Sequence, residues 1–384
     1  MWQQELLWFF TIFHQEFRKN NGVAFETLMV LAVAHVFGFY NPKQLADFLE
    51  VPHQQFSTVL KEWSVYQVKK MLLRFMVKQA AEKRKPVMRK SAATRSRAGT
   101  TLSIDNSVMD RFGNLLRCPW SWYSGRYHKV IRGQDLLGIV FTIEHIALPL
   151  HLLFCPKQGR YHTTKADLLI FMLIQLKTAF LREGIAITQF PLTMDSAYVS
   201  QALREKLHQV GFIDIIIAGK GNDVCTIDTQ KWDASTWKKV LLFEEPTWGI
   251  DVPSCRIRGS SPTCGSLIWF FFRKSTTRSY YVMNFSQRSL RGAEIWHIWK
   301  QHQVIECFWK IMKSIFQFRS MHLQGDGLYT ALLIKVFAYL LALRLQAEGV
   351  FSKLTLTEIM RKLRREADLR DFLVTHFHTT FSIT

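Results

Sequence analysis

The chain has 384 residues, is 48% hydrophobic, and carries a formal charge of +20 because 50 Lys and Arg outnumber 30 Asp and Glu. This length and apolar content allow two or three structural units with a sizeable core, and the charge is typical of proteins that bind a polyanion such as nucleic acid. The six cysteines form no CxxC pair, which argues against structural zinc and against a disulfide framework.

Targeting and membrane segments are not expected. The N-terminal apolar stretch contains Glu5 and lacks the basic region and small-residue cleavage site of a signal peptide. The apolar run over residues 328–345 contains Lys335 and Arg344, which indicates a buried or partner-packed helix rather than a membrane crossing. We therefore expect a cytoplasmic protein.

Residues 1–68 are predicted to form a helical domain. Between Pro42 and Lys61 the apolar residues are spaced as two short helices around a turn, which is typical of a helix-turn-helix. Any small helical bundle gives similar spacing, so the alternative is a helical domain without DNA contact. The polar residues of the second helix that are expected to contact DNA are Gln54, Gln55 and Ser57.

Residues 69–99 are predicted to be a basic linker. Between residues 69 and 97, eleven Lys or Arg accompany a single acid, Glu82. The end of this segment is rich in Ser and Ala and lacks periodicity, so it could lie along a phosphate backbone or act only as a solvated tether. The residues expected to contact DNA are Lys83, Arg84, Lys85, Arg89 and Lys90.

From residue 100 the pattern changes to that of an α/β domain. The predicted elements are strands at 101–106, 137–143 and 147–154, a helix at 163–182, a strand at 189–194, a helix at 199–210 and a strand at 212–217. Three strands followed by helix, strand, helix and strand is the order of an RNase H-like core. We assign its first part to residues 100–219.

The remaining chain is predicted in three parts. Residues 220–288 contain aromatic runs at hairpin-like spacing, which indicates a β-rich insertion. Residues 289–345 complete the core and include a long helix from about residue 292 to 316. Residues 346–384 form a C-terminal helical tail.

Three carboxylates occupy distinctive positions. Asp105 and Asp195 each follow an apolar strand, and in an RNase H-like core these two strands are neighbours, so the acids would meet near their C-terminal ends. Glu306 lies on the long helix. It shares one helix face with Trp299, His302 and Lys313. Three converging acids can hold divalent metal for phosphoryl transfer, whereas Glu306 alone could belong to an ordinary solvated helix face.

These residues resemble the motifs of DDE-type insertion-sequence transposases, in the subgroup with a β-rich insertion. That subgroup carries a Tyr-x2-Arg-x3-Glu-x6-Lys signature, and its positions correspond to Trp299, His302, Glu306 and Lys313. The spacing is intact, with Trp in place of Tyr and His in place of Arg. Residues 103–107 and 192–198 are similar to the motifs around the other two acids.

The resemblance implies a metal-dependent DNA transposase. Asp105 would bridge two Mg²⁺ ions, Asp195 would complete one site and Glu306 the other, and Mn²⁺ should substitute for Mg²⁺. Such enzymes cut at transposon ends and join the freed 3′-OH to target DNA. The residues expected to contact DNA phosphate are Trp299, His302, Lys310 and Lys313.

The expected partners are double-stranded DNA, as terminal inverted repeats and as target, and a second copy of the chain in a synaptic complex. The protein is expected to lie in a bacterial cytoplasm, associated with the nucleoid and without membrane contact. One alternative is a catalytically silent descendant that only binds DNA. A second is an RNase H-like nuclease that cuts without joining. The three retained acids favour an active enzyme, and the helical domain with its basic linker favours recognition of specific ends.

Overall fold

The computed structural model describes residues 3–4, 6–7, 11, 22–62, 65–88, 100–110, 121–124, 128–143, 146–155, 164–219, 224–227, 230–233, 254–262, 265–273, 279–286, 289–318, 325–347, 351–366 and 368–376. Its helices are α1 (Gly22–Val36), α2 (Pro42–Leu49), α3 (Gln54–Glu62), α4 (Val65–Met88), α5 (Lys165–Arg182), α6 (Gln201–Val210), α7 (Gly292–Ser314), α8 (Gly325–Ala347), α9 (Leu356–Glu366) and α10 (Leu369–His376). Its strands are β1 (Thr101–Asp110), β2 (Ser121–Ser124), β3 (Lys129–Ile143), β4 (Ile146–Phe154), β5 (Leu192–Met194), β6 (Ile215–Ala218), β7 (Val224–Ile227), β8 (Gln230–Asp233), β9 (Ser254–Ser261), β10 (Gly265–Arg273) and β11 (Ser279–Asn284).

The chain divides into two compact units. The first comprises Met1–Phe75, Val108–Gln134 and Trp309–Thr384, and the second comprises Met76–Ser107 and Asp135–Phe308.

Helix α8 lies at the centre of the first unit, where it contacts α1, α3 and α9. By length and composition the stretch Gly327–Ala347 could cross a membrane, but it is mostly buried inside the protein. The expectation of a buried helix here is therefore confirmed. The first unit also contains a hairpin in which β2 pairs with the first residues of β3.

Helices α2 and α3 occupy the segment predicted as two short helices around a turn. Asn41 caps α2 by accepting a hydrogen bond from the backbone N–H of Lys43, and Glu50 takes the left-handed conformation that ends the helix. Phe56 and Leu60 of α3 are buried. On the other side of α3, Gln54 is exposed and Gln55 and Ser57 are half-buried.

Helix α4 corrects the prediction of a linker over residues 69–99, because the chain is helical as far as Met88. Its buried residues recur at helical spacing and include Val68, Met71, Leu72 and Phe75. The basic residues fall between these apolar positions, so the high charge made the amphipathic pattern of the helix difficult to recognise in the sequence. Lys83, Arg84 and Lys85 lie on α4, whereas Arg89 and Lys90 lie outside the described residues.

The second unit is built on a mixed sheet in the order β4-β3-β1-β5-β6-β11-β10-β9-β7-β8. Strands β1, β5 and β6 run parallel, and β11 is antiparallel to β6. The segment predicted as a β-rich insertion contains β7 to β11, which extend this same sheet. The protein is thus mixed α/β, with several C-terminal helices.

Aromatic and aliphatic side chains fill the core of the second unit. The Phe141 ring lies 5.7 Å from that of Phe180 on α5 and 5.2 Å from that of Phe190. The segment 189–194 differs from its predicted strand because residues 187–189 form a 3-10 helix and β5 begins only at Leu192. Pro191 has no backbone N–H to donate to a strand ladder, which explains the shorter strand.

Candidate functional site

The first two predicted acids lie side by side in the second unit. Strands β1 and β5 are parallel neighbours with Ile104 opposite Met194, and Asp105 and Asp195 are the next residues. Neighbouring strands lie about 4.8 Å apart. Strand β1 continues to Asp110, so Asp105 lies where β1 extends past β5, rather than at a strand end as predicted.

Both carboxylates are oriented by the following backbone amide. Asp105 Oδ1 accepts a hydrogen bond from Asn106 N at 2.7 Å, and Asp195 Oδ1 accepts one from Ser196 N at 2.6 Å. Asp105 is half-buried and Asp195 is exposed. The two acids therefore share a local geometry and both remain near the protein surface.

The third acid, Glu306, is on the surface of α7. Partial desolvation and the negative charge of Asp195 raise the pKa of the Glu306 carboxyl. The charge effect shows that the helix brings Glu306 into the electrostatic range of Asp195. A cation bound between such acids would remove the repulsion that raises this pKa.

The chemistry of these donors fits a hard divalent cation. Carboxylate oxygens with space for water and phosphate are the ligands that Mg²⁺ prefers. Among the described residues, no three His, Cys, Asp or Glu side chains are already gathered at metal-binding distances.

Asn106, which follows Asp105, belongs to a cluster of hydrogen-bonded polar side chains. Asn106 Nδ2 donates to Asp135 Oδ1 at 2.8 Å, and Lys165 Nζ lies 2.5 Å from Asp135 Oδ2. The hydroxyl of Tyr198 donates to Asn106 Oδ1 at 3.4 Å. Asp135 is fully buried. Neither Asp135 nor Tyr198 was predicted as a site residue, and a carboxylate inside an apolar strand was the available signal for Asp135.

His302 is buried, with only 3% of its surface exposed. Its Nδ1 lies 3.1 Å from Thr193 Oγ1, and its ring stacks on Trp299 at 4.7 Å. Burial lowers the pKa of His302 to about 4, although the charge of Asp195 opposes this shift. The imidazole is therefore uncharged at neutral pH. Contact of Trp299 or His302 with DNA phosphate stays a prediction.

Lys310 and Lys313 lie one and two turns beyond Glu306 on α7, in the part of the chain that belongs to the first unit. Lys310 is exposed and Lys313 is half-buried. Their proposed contact with phosphate also stays a prediction.

Comparison with known proteins shows what the region around the site is similar to. A family profile described as "Transposase DDE domain" matches residues 173–341, which include Asp195 and Glu306. A search of curated proteins found no match. The profile match confirms the resemblance to DDE-type transposases inferred from the sequence motifs. Residues 173–341 of this chain are therefore similar to the transposase DDE domain family.

Proposed function

We propose that the chain is a DNA transposase that cuts at the ends of its element and transfers the freed 3′-OH into target DNA. The observation that carries this proposal is the strand register that sets Asp105 beside Asp195, with the charge of Asp195 acting on Glu306. The strand order β4-β3-β1-β5-β6 supports an RNase H-like core. In that core, β7 to β11 form the insertion that precedes the helix of the third acid.

In this proposal Asp105, Asp195 and Glu306 would hold the divalent metal ions. Two divalent cations, Mg²⁺ or Mn²⁺, would activate the attacking oxygen and stabilise the leaving oxygen of an in-line displacement at phosphorus. The backbone amides of Asn106 and Ser196 orient the two aspartates before substrate arrives. Lys310 and Lys313 would contact the DNA phosphates next to the cut.

The rest of the chain would bind DNA through its charge and its helices. The exposed polar residues of α3 would read the terminal inverted repeats, and the basic end of α4 would follow the phosphate backbone. A homodimer would hold two element ends in a synaptic complex. The setting would be the cytoplasm of a bacterial host, next to nucleoid DNA.

A silent DNA-binding descendant is the second candidate, and the state of His302 favours it. An uncharged, buried imidazole cannot supply the permanent charge and bidentate hydrogen bonds of the Arg found in related signatures. The retained acids favour an active enzyme, since a silent descendant has no need of them.

The test is incubation of the purified protein with DNA that carries its element's ends, a target plasmid and Mg²⁺, beside a Glu306→Gln variant. We expect metal-dependent cleavage at the end and joining to the plasmid, both lost in the variant. Cleavage without end dependence or joining would indicate a nuclease. Salt-sensitive binding without product in Mg²⁺ or Mn²⁺ would indicate the silent descendant.

A further inference from the structure

Three buried polar side chains form a hydrogen-bonded chain beside the carboxylates. Thr193 Oγ1 lies 3.0 Å from Ser103 Oγ and 3.1 Å from His302 Nδ1. Ser103 and Thr193 have no exposed surface, and His302 is 3% exposed. Buried polar groups are costly unless they are hydrogen-bonded, and a fully bonded chain of them specifies one arrangement of the elements that it joins.

Two of these three hydrogen-bonded residues, Ser103 and Thr193, occupy equivalent positions in the sequence before the two aspartates. Ser103 precedes Asp105 by two residues in β1, and Thr193 precedes Asp195 by two residues at β5. Side chains two residues apart along a strand lie on the same face. The hydrogen bond between Ser103 and Thr193 therefore lies on the face of the sheet to which both aspartates belong.

The third residue, His302, connects the helix of Glu306 to Thr193. His302 precedes Glu306 by four residues, which is about one helical turn. Side chains at this spacing are neighbours on the helix surface. The bond between His302 and Thr193 thus fixes both the rotation of α7 and its height above β5.

The two distances fix which atoms are paired. Ser103 and Thr193 each have one hydroxyl proton to donate and lone pairs that accept, and the role of His302 Nδ1 depends on the tautomer of its imidazole. A side chain that can hydrogen-bond to Thr193 Oγ1 is therefore what α7 requires at residue 302.

We propose that Ser103, Thr193 and His302 are positioning residues that set the spacing of the three carboxylates and thereby the affinity of the site for divalent metal. This inference rests on the proposed role of the carboxylates as metal ligands. It gives His302 a role that acts through the helix of Glu306, without contact to phosphate.

The test measures binding of Mn²⁺ to the DNA-free protein by electron paramagnetic resonance. Two matched pairs of variants separate hydrogen bonding from packing. Thr193→Val removes the hydroxyl and keeps the shape, whereas Thr193→Ser keeps the hydroxyl. His302→Phe keeps a ring against Trp299, whereas His302→Asn keeps a hydrogen-bonding group near the Nδ1 position.

We expect Thr193→Val and His302→Phe to weaken Mn²⁺ binding about tenfold, which is typical of lost hydrogen bonds behind metal ligands. Thr193→Ser and His302→Asn should bind Mn²⁺ within about twofold of the wild type. Thermal unfolding of each variant confirms that it is folded before binding is compared.

Equal Mn²⁺ affinity of Thr193→Val, His302→Phe and the wild type would overturn the inference. Wild-type Mn²⁺ affinity in His302→Phe together with weakened Mn²⁺ binding in His302→Asn would also overturn the inference, because that pattern indicates packing alone. Absence of Mn²⁺ binding by the wild type would overturn both this inference and the proposed metal site. Normal Mn²⁺ binding by a protein that neither cuts nor joins DNA would overturn the proposed function only.

Discussion

The hydroxyl of Tyr198 lies 3.4 Å from Oδ1 of Asn106, and this hydrogen bond joins the segments that carry the first two carboxylates. Tyr198 ends the 3-10 turn that follows Asp195, and Asn106 directly follows Asp105. Because Asn106 is also held by Asp135, a shift of either segment would disturb the other. The two aspartates are thus coupled through side chains as well as through the sheet.

Removal of the Tyr198 hydroxyl should destabilise the second unit. We expect Tyr198→Phe to lower the free energy of unfolding by about 1 kcal/mol, which is the usual net contribution of a hydrogen bond. Urea unfolding of the variant and the wild type measures this difference. The control is Tyr123→Phe, whose side chain is 61% exposed and whose change should have no effect. Equal stability of both variants would contradict the bridging role of Tyr198.

The carboxylate of Asp135 should matter mainly as the acceptor for Asn106. Lys165 is 38% exposed, so its ammonium can return to water, and loss of this ion pair should cost no more than about 1 kcal/mol. Asp135→Asn keeps an acceptor and should destabilise the protein by roughly that amount. Asp135→Leu leaves Asn106 Nδ2 unpaired and should cost about 2–3 kcal/mol. Equal losses in the two variants, measured by chemical denaturation, would show that the ion pair dominates.

Buried Lys335 should make stability depend on pH. Its Nζ donates to the carbonyl oxygens of Phe316 and Gln317, and burial lowers the pKa of its ammonium from 10.5 to about 7. Between about pH 7 and pH 10 the unfolded chain holds a proton that the folded chain has released. The free energy of unfolding therefore rises with pH in this window, by roughly 1.4 kcal/mol per unit at most.

Lys335→Met should remove this rise. The difference in unfolding free energy between wild type and variant, measured from pH 7.5 to 9.5, should increase with pH in favour of the wild type. Lys353→Met changes an exposed lysine in the same unit and should leave the profile unchanged. Parallel profiles for the wild type and Lys335→Met would show that the lysine keeps its ordinary pKa when folded.

The basic end of α4 should contribute electrostatic affinity for DNA. We expect replacement of Lys83, Arg84 and Lys85 by Ala to reduce the slope of log K against log salt concentration by about 2–3, since each phosphate contact contributes about 0.9. Titrations at several salt concentrations give this slope. Arg182→Ala, at the exposed end of α5, is the control. An unchanged slope in the triple variant would exclude phosphate contact by this part of α4.

The strands that carry the aspartates could be located in the sequence to within a few residues, because their apolar runs are short and bounded by polar residues or Pro. Strand β9 was not predicted, since its alternation of apolar and polar residues covers only Cys255 to Arg258 and ends at Gly259. Helix α4 was missed for a related reason: its apolar positions are separated by many basic residues. In both elements, tertiary packing decides a structure that local composition obscures.

The pairing of Asp105 with Asp195 followed from the order of the elements, which sequence periodicity reveals. The burial of His302 did not, because spacing along a helix shows which residues share a face but not which neighbour that face meets. The role of Asp135 depends on the positions of β1 and β3, which bring it to Asn106. Such contacts between distant residues leave no local pattern in a single sequence.

The central claim is that the three carboxylates hold the metal that joins DNA strands, and a change of metal preference tests it most directly. The measurement is joining of a pre-cut element end with a free 3′-OH to a target plasmid by Asp195→Cys, in Mg²⁺ and in Mn²⁺. Thiolate is a poor ligand for Mg²⁺, whereas the transition-metal ion Mn²⁺ accepts a sulfur ligand more readily. We expect Asp195→Cys to be inactive in Mg²⁺ and to regain joining in Mn²⁺, while Asp195→Ala stays inactive in both. Wild-type rates from Asp195→Cys in Mg²⁺, or no joined product from the wild type in either ion, would contradict the account.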